Sequence, residues 1–269
     1  MKNKTKTDLE EAGLKGKVKS VRTTIRDAKG KLYSEYEEFY GREGNRTEKR
    51  VFHSDGGFTK STYDGSGNRI DEYLFCPDGS RITKSNAVFD IQGNKIEDSR
   101  YHPDGSLQYR HTYTYDNQGN RIEEIQYDTT GSLKEKTVFT CDSLGNRVEE
   151  NRYDATGNPE KRIKFTYDGN GRETERNFYN ADDNLLSQRK FTYGSHENEE
   201  SFYDAEGNLL SKRKYTYDSN GDVVEESSYD SDDCLVQKWE YTYEYDGTGN
   251  WIKKTTSKSR IEERAIEYY

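Results

Sequence analysis

The sequence predicts an all-β protein: a long antiparallel meander of about eighteen or more short strands from 26-residue two-hairpin repeats, twisted, coiled or partly rolled into a solenoid-like spiral. Three observations predict it. A turn residue, usually Asp, recurs as Asp64, Cys76, Asp90, His102, Asp116, Asp128, Asp142, Asp154, Asp168, Asn180 and Gly194, at spacings that alternate 12 and 14 without a break. Two turn signatures alternate with that spacing. The runs between turns alternate in side-chain character as half-buried strands do.

Residues 1–16 precede the repeat and read as an N-terminal cap segment in which Thr7 or Asp8 caps one helical turn, LEEA, ended by Gly13. KVKSVRTTIR (17–26) alternates and reads as the first strand. The repeat domain runs over 17–256. Its first turn type is aromatic-Asp-x-x-Gly-Asn-Arg, as in Tyr115 to Arg121, with Cys141 in the aromatic place one repeat later. Its second is aromatic-Asp-x-x-Gly-Ser/Asn-Leu, as in Tyr127 to Leu133. Asp accepts hydrogen bonds from backbone amides ahead of it and Gly takes the left-handed conformation that closes the turn, so both read as hairpin connections. Calcium binding by these carboxylates is the sharper alternative. It lacks the nine-residue period of Gly-rich calcium repeats.

Strands fill the spaces. Nine-residue runs such as LLSKRKYTY (209–217) put Leu209, Ser211, Arg213, Tyr215 and Tyr217 on one face by strict alternation, and Leu210, Lys212, Lys214 and Thr216 on the other. Shorter runs such as RVEENRY (147–153) are acidic, whereas the long ones are basic, so opposite charges face each other across each hairpin. At about 4.8 Å per strand the sheet extends to roughly 85 Å, a length that an open twisted sheet rarely holds flat. The period fails between His53 and Asp64, in GSHENEE (194–200), and by an insertion between Tyr243 and Asp246. The tail, 257–269, reads as a strand capping the last repeat.

Composition bounds the function. Leu, Ile, Val and Phe make up only about 16% of the chain, a level often seen in disorder. Against disorder stand a net charge of -9, small for 269 residues, and 23 Tyr with 10 Phe. The acidic balance argues against nucleic acid as a partner. No apolar run is long enough for a membrane span. MKNKTKTDLEEAG carries no apolar signal core, so the chain reads as cytoplasmic as written, or as surface-exposed or secreted if a leader has been removed. Cys76, Cys141 and Cys234 lie in different repeats and frame no disulfide set.

The repeated Tyr-Asp-x-x-Gly-Asn-Arg motif with an intervening second hairpin resembles the YD-repeat (RHS-type) family of bacterial proteins, over roughly residues 27–256. The resemblance implies a long sheet of hairpins that, in large members, spirals into a shell around a toxin or effector. With no toxin domain or self-cleavage motif read in residues 1–269, a cargo-enclosing role is not expected of this stretch.

No catalytic constellation, cofactor motif or metal-ligand spacing is present in the sequence; His196-Glu197 has no second His at i+4. The leading expectation is therefore a non-enzymatic scaffold that binds another protein over an extended surface, including a toxin or secretion component for which it serves as immunity or chaperone partner. The alternative is a carbohydrate-binding surface in which Trp239, Tyr241, Tyr243 and Trp251 stack on sugar rings. His196 and Glu197, where the period fails, complete the candidate binding residues. Self-association through the exposed sheet ends is also expected of an open sheet.

Overall fold

Residues 6–269 are described by a computed structural model. The first five residues of the expected 1–16 cap lie outside the described residues. A short helix, α1 (Asp8–Glu11), precedes twenty strands. The first ten are β1 (Val18–Asp27), β2 (Leu32–Tyr40), β3 (Arg46–Phe52), β4 (Phe58–Tyr63), β5 (Arg69–Phe75), β6 (Arg81–Phe89), β7 (Lys95–Tyr101), β8 (Leu107–Tyr115), β9 (Arg121–Tyr127) and β10 (Leu133–Cys141). The second ten are β11 (Arg147–Asp154), β12 (Pro159–Tyr167), β13 (Glu173–Asn180), β14 (Leu185–Tyr193), β15 (Glu197–Asp204), β16 (Leu209–Tyr217), β17 (Val223–Tyr229), β18 (Leu235–Tyr245), β19 (Trp251–Thr256) and β20 (Arg260–Tyr268). Among the described residues no helix is long and apolar enough to cross a membrane.

The chain falls into two compact units. One holds the residues up to 112 with 128–132 and 242–269; the other holds 113–127 and 133–241. In the first, β1 through β8 pair in succession and β19 pairs with β20. In the second, β9 through β18 pair in succession, all antiparallel.

The hairpin turns share one construction. Asp116 Oδ1 accepts from the amides of Gln118 (2.9 Å) and Asn120 (2.8 Å), and the Gly119 amide donates to the Asp116 carbonyl at 3.0 Å. Gly119 sits at φ +78°, where a Cβ is strained. The Asn of the first turn type has a second task. Asn120, 5% exposed, donates through Nδ2 to Asp116 Oδ2 at 2.9 Å, and a Cβ added at Gly145 would lie 2.9 Å from its Oδ1. Successive first-type turns thus nest against each other, as they do where Asn45 Nδ2 donates to the Gly65 carbonyl at 3.0 Å.

The Tyr before the turn Asp also has a polar role. Tyr167 donates its hydroxyl to the Arg147 carbonyl at 2.8 Å, and Tyr193 donates to the Glu173 carbonyl at 2.7 Å, each reaching back 20 residues into the preceding repeat. Both acceptors lie beside a slip in strand register, where the ladder is irregular. Tyr167→Phe is expected to cost about 0.5–1.5 kcal/mol by removing this donor. Urea unfolding of the single variant checks it, and an unchanged midpoint would refute the role.

One register slip corrects the strict alternation expected for the long strands. In β16, Leu209 pairs with Tyr203 and Ser211 with Phe202, so Leu210 is an extra, unpaired residue and Leu209 no longer shares a face with Ser211. The same slip sets Leu186 out of the ladder in β14 and Val236 in β18.

Aliphatic core is concentrated where the repeat begins and ends. Leu9, Leu14, Val18, Val21 and Tyr40 form one buried cluster, with Ile266 and Tyr268 packed against it. Thr7 and Glu10 form a reciprocal capping box on α1. The Leu9 amide donates to the Gly44 carbonyl at 3.1 Å, and Asp8 Oδ2 accepts from the Arg46 amide at 2.6 Å. Asn250 holds the segment between α1 and β1 as a backbone would: Oδ1 accepts from the Lys15 amide at 2.6 Å and Nδ2 donates to the Lys15 carbonyl at 2.8 Å.

This seam overturns the expected open, spiralling meander. β1 pairs with β2 on one side and with β20 on the other, in a ladder that runs from Val18↔Tyr268 to Asp27↔Arg260. The twenty strands belong to one antiparallel sheet with a closed, barrel-type strand order, not an open solenoid or spiral. The tail strand therefore pairs with β19 at the end of the repeat on one side and with the first strand on the other. The physical reason is the edge: an open meander leaves two rows of unpaired amides and carbonyls, and pairing β1 with β20 satisfies both. Self-association through free sheet ends loses its template for the same reason.

Candidate binding surface

Charge in the strands is largely paired across the hairpins. Lys136 meets Glu123 at 2.5 Å, Lys60 meets Glu48 at 2.8 Å and Lys238 meets Glu225 at 2.8 Å. The hydrogen bonds from Lys238 and Ser227 hold the Glu225 carboxyl below its ordinary pKa. Arginines lie over aromatic rings instead of aliphatic side chains. The Arg147 guanidinium is 3.9 Å from the centre of the Phe139 ring, and Arg176, bidentate to Glu173 at 2.8 Å per bond, covers Phe165 at 5.1 Å. Such stacking contributes about 0.5–2 kcal/mol each, so these rings and cations are largely spent on the fold.

The aromatic residues singled out from the sequence sit on β18 and at the start of β19, and all are half-buried. Tyr241 donates its hydroxyl to Glu226 at 3.1 Å. Tyr243 and Trp251 come together edge to face, 6.2 Å between centroids. The Arg264 guanidinium lies 3.3 Å from the Trp251 centroid, and Lys254 lies 5.6 Å from that of Tyr243. Protein cations thus already occupy ring faces that a sugar would need.

His196 and Glu197 form a different feature. Where the period fails, the usual turn is replaced by a tight one closed by the Gly194 amide donating to the Glu197 carbonyl at 2.7 Å. The His196 carbonyl accepts from the Tyr217 amide at 2.8 Å, tucking this turn against the next turn on the same edge. An open cleft of about 490 Å³ results, with His196, Asn198 and Tyr217 in its lining. Glu197 pairs with Lys214 at 3.2 Å, a bond that raises the lysine pKa. A second open cleft of about 750 Å³ includes Lys60, Asp71, Tyr73 and Arg81. Its cations are partnered too: Lys60 with Glu48 at 2.8 Å, and Arg81 over the Tyr73 ring at 5.8 Å. Among the described residues no group of three or more His, Cys, Asp or Glu could hold a metal ion.

Sequence reasoning missed the most exposed repeated apolar feature. Leu186, Leu210 and Val236 are 52%, 53% and 67% exposed, and all three are the bulge residue just after a second-type turn, in β14, β16 and β18. Bulges re-aim side chains. The equivalent bulge residues of β8, β10 and β12 are Gln108, Lys134 and Glu160. In β2 and β6 the same position holds Tyr33 and Ile82, so an aliphatic bulge residue recurs in β6 and in three successive long strands, β14, β16 and β18. The signal was present as the doublets LL, LL and LV that open those runs.

No protein-family model matches the chain, and no curated protein matches it in sequence. Solved structures match it only at low similarity. A porin-like protein from Bacteroides uniformis is 12% identical at a TM-score of 0.41, covering 93% of this chain and 96% of that one. The TcdB2-TccC3 toxin complex structure without its hypervariable C-terminal region is 13% identical at a TM-score of 0.31, covering 86% of this chain, which spans only 17% of that one. A protein of unknown function from Bacteroides fragilis is 16% identical at a TM-score of 0.29, covering 49% of this chain and 90% of that one.

Proposed function

We propose that the chain is a non-enzymatic β-repeat scaffold that binds another protein over an extended surface, and that its hairpins belong to the YD-repeat type. The repeat assignment is supported by the turns: the Asp that accepts two amides, the Gly at positive φ, and the hydroxyls of Tyr167 and Tyr193 that reach back into the preceding repeat. The observation that carries the binding reading is the row of exposed aliphatic bulge residues Leu186, Leu210 and Val236, at the same position of three successive long strands. A toxin for which this chain is immunity or chaperone partner is one case of the same reading. The sugar-binding alternative draws less support, because Arg264 covers Trp251.

A photo-crosslinking side chain at position 210 tests the proposal in lysate of the source cells, with the same probe at the exposed turn residue Ile91 as control. A discrete crosslinked protein at 210 that disappears in the Leu186→Ser, Val236→Ser background is the expected result. The same diffuse labelling at both positions would overturn it.

A further inference from the structure

The aliphatic row coincides with a second feature, and together they specify what docks there. The turns that lead into β14, β16 and β18 carry extra exposed acids: Asp182 and Asp183, Glu206, Asp232 and Asp233. The turn into β12, Asp154 to Asn158, has no acid beyond its turn-forming Asp, and the bulge residue after it is Glu160. Exposed aliphatics and extra turn acids thus arise in the same three successive turns. Asp183 and Asp233 are engaged by Arg162 and Lys212, whereas Asp182, Glu206 and Asp232 are exposed in the turns that lead into the row.

Resting on the protein-binding reading above, we infer that the β14–β16–β18 edge is a docking strip for a basic amphipathic helix of a partner protein. Spacing selects the helix. Equivalent positions two strands apart lie about 10 Å from each other, close to the roughly 10.5 Å rise of seven helical residues. Apolar residues at i, i+7 and i+14 of one helix therefore meet Leu186, Leu210 and Val236 in turn. An extended segment does not match, because its side chains alternate faces every residue. Charge selects the sign: Lys and Arg beside that apolar stripe face Asp182, Glu206 and Asp232, which also steer the encounter. The strip spans about four strand spacings, roughly 19 Å, so a helix of about fifteen residues, from i to i+14, covers it.

The test uses the whole chain and three fluorescein-labelled helical peptides of equal length: Leu at heptad spacing flanked by Lys and Arg, the same composition with the spacing scrambled, and the heptad peptide flanked by Glu. Anisotropy is expected to show saturable binding of the first peptide alone, weakening with salt. L186S/L210S/V236S is expected to weaken it at least about tenfold without shifting thermal unfolding, since all three side chains are exposed. D182N/E206Q/D232N is expected to weaken it and flatten the salt dependence. Equal binding of basic and acidic peptides, or binding unaffected by the triple serine variant, overturns the inference. So does sedimentation showing that the row mediates dimers of this chain. If the crosslinked partner depends on the row but the basic heptad peptide does not bind, the helix inference falls while the protein-binding reading stands.

Discussion

Replacing Val21 with aspartate is expected to destabilise the fold by about 3–5 kcal/mol, the cost of an uncompensated charge in a buried site. Val21 is 2% exposed and pairs with Glu38 on one side and Ile266 on the other, at the centre of the seam that joins the first strand to the last. Burial there strips the new carboxylate of water, and Glu38, directly opposite, is a like charge. Val21→Ala, which only removes apolar volume, is expected to cost about 2 kcal/mol. Val88→Asp, in a strand but 43% exposed, is expected to change stability by no more than about 0.5 kcal/mol. Urea unfolding followed by tryptophan fluorescence, with hydrogen exchange on β1 and β20 amides, separates these cases. If Val21→Asp unfolds at the same urea concentration as Val88→Asp, the seam is not what holds the sheet closed.

Acidification is expected to unfold the protein over a defined window. The turn aspartates Asp90, Asp142, Asp154 and Asp204 all have pKa values below the ordinary 3.8, chiefly because side chains of their own turns donate to them, with backbone amides adding to the effect. For Asp154, Thr156 and Asn158 bring the value down to about 2. A carboxyl whose pKa is lower in the folded chain contributes stability that is complete above its unfolded value. That contribution is lost as pH falls through the folded value, so the loss runs from 3.8 down to about 2 for Asp154. Circular dichroism against pH is expected to show cooperative loss of strand signal in this window. Asp154→Ala is expected to be less stable at neutral pH, with a shallower acid slope. A strand signal that stays flat through the window would show that the turns are held by something other than these carboxylates.

Much of the fold was legible because the repeat is local. Asp, Gly and strand alternation act within five to ten residues, so the turns and the strand boundaries follow from spacing alone. Closure was not legible from the repeat, because it depends on strands that lie outside the regular pattern. Its trace was chemical: Val18, Val21 and Ile266 are aliphatic where the repeat uses aromatics and serine, and Leu9 and Leu14 match them. The candidate surface was missed for a related reason. Strict alternation assigns Leu210 to one face of a regular strand, whereas the bulge takes it out of the ladder, and bulges arise from pairing between strands. The aromatic cluster depends on contacts that spacing alone does not show. Trp251 and Tyr243 look like free rings until Arg264 and Lys254 are folded over them.

The seam also has a kinetic consequence. Nearly every other pairing joins hairpin neighbours, but Lys19 and Glu267, which ion-pair across the seam at 2.7 Å, are 248 residues apart. Closing a flexible loop of that length costs about 5 kcal/mol of chain entropy, a penalty that falls once the intervening hairpins are already paired. Hairpin formation is therefore expected to precede closure, with the β1–β20 ladder the slow, final step. Until it forms, the folding chain exposes two unpaired strand edges, and crowding of such intermediates invites intermolecular pairing. The aliphatic residues gathered at the two ends act as the latch that ends this vulnerable interval.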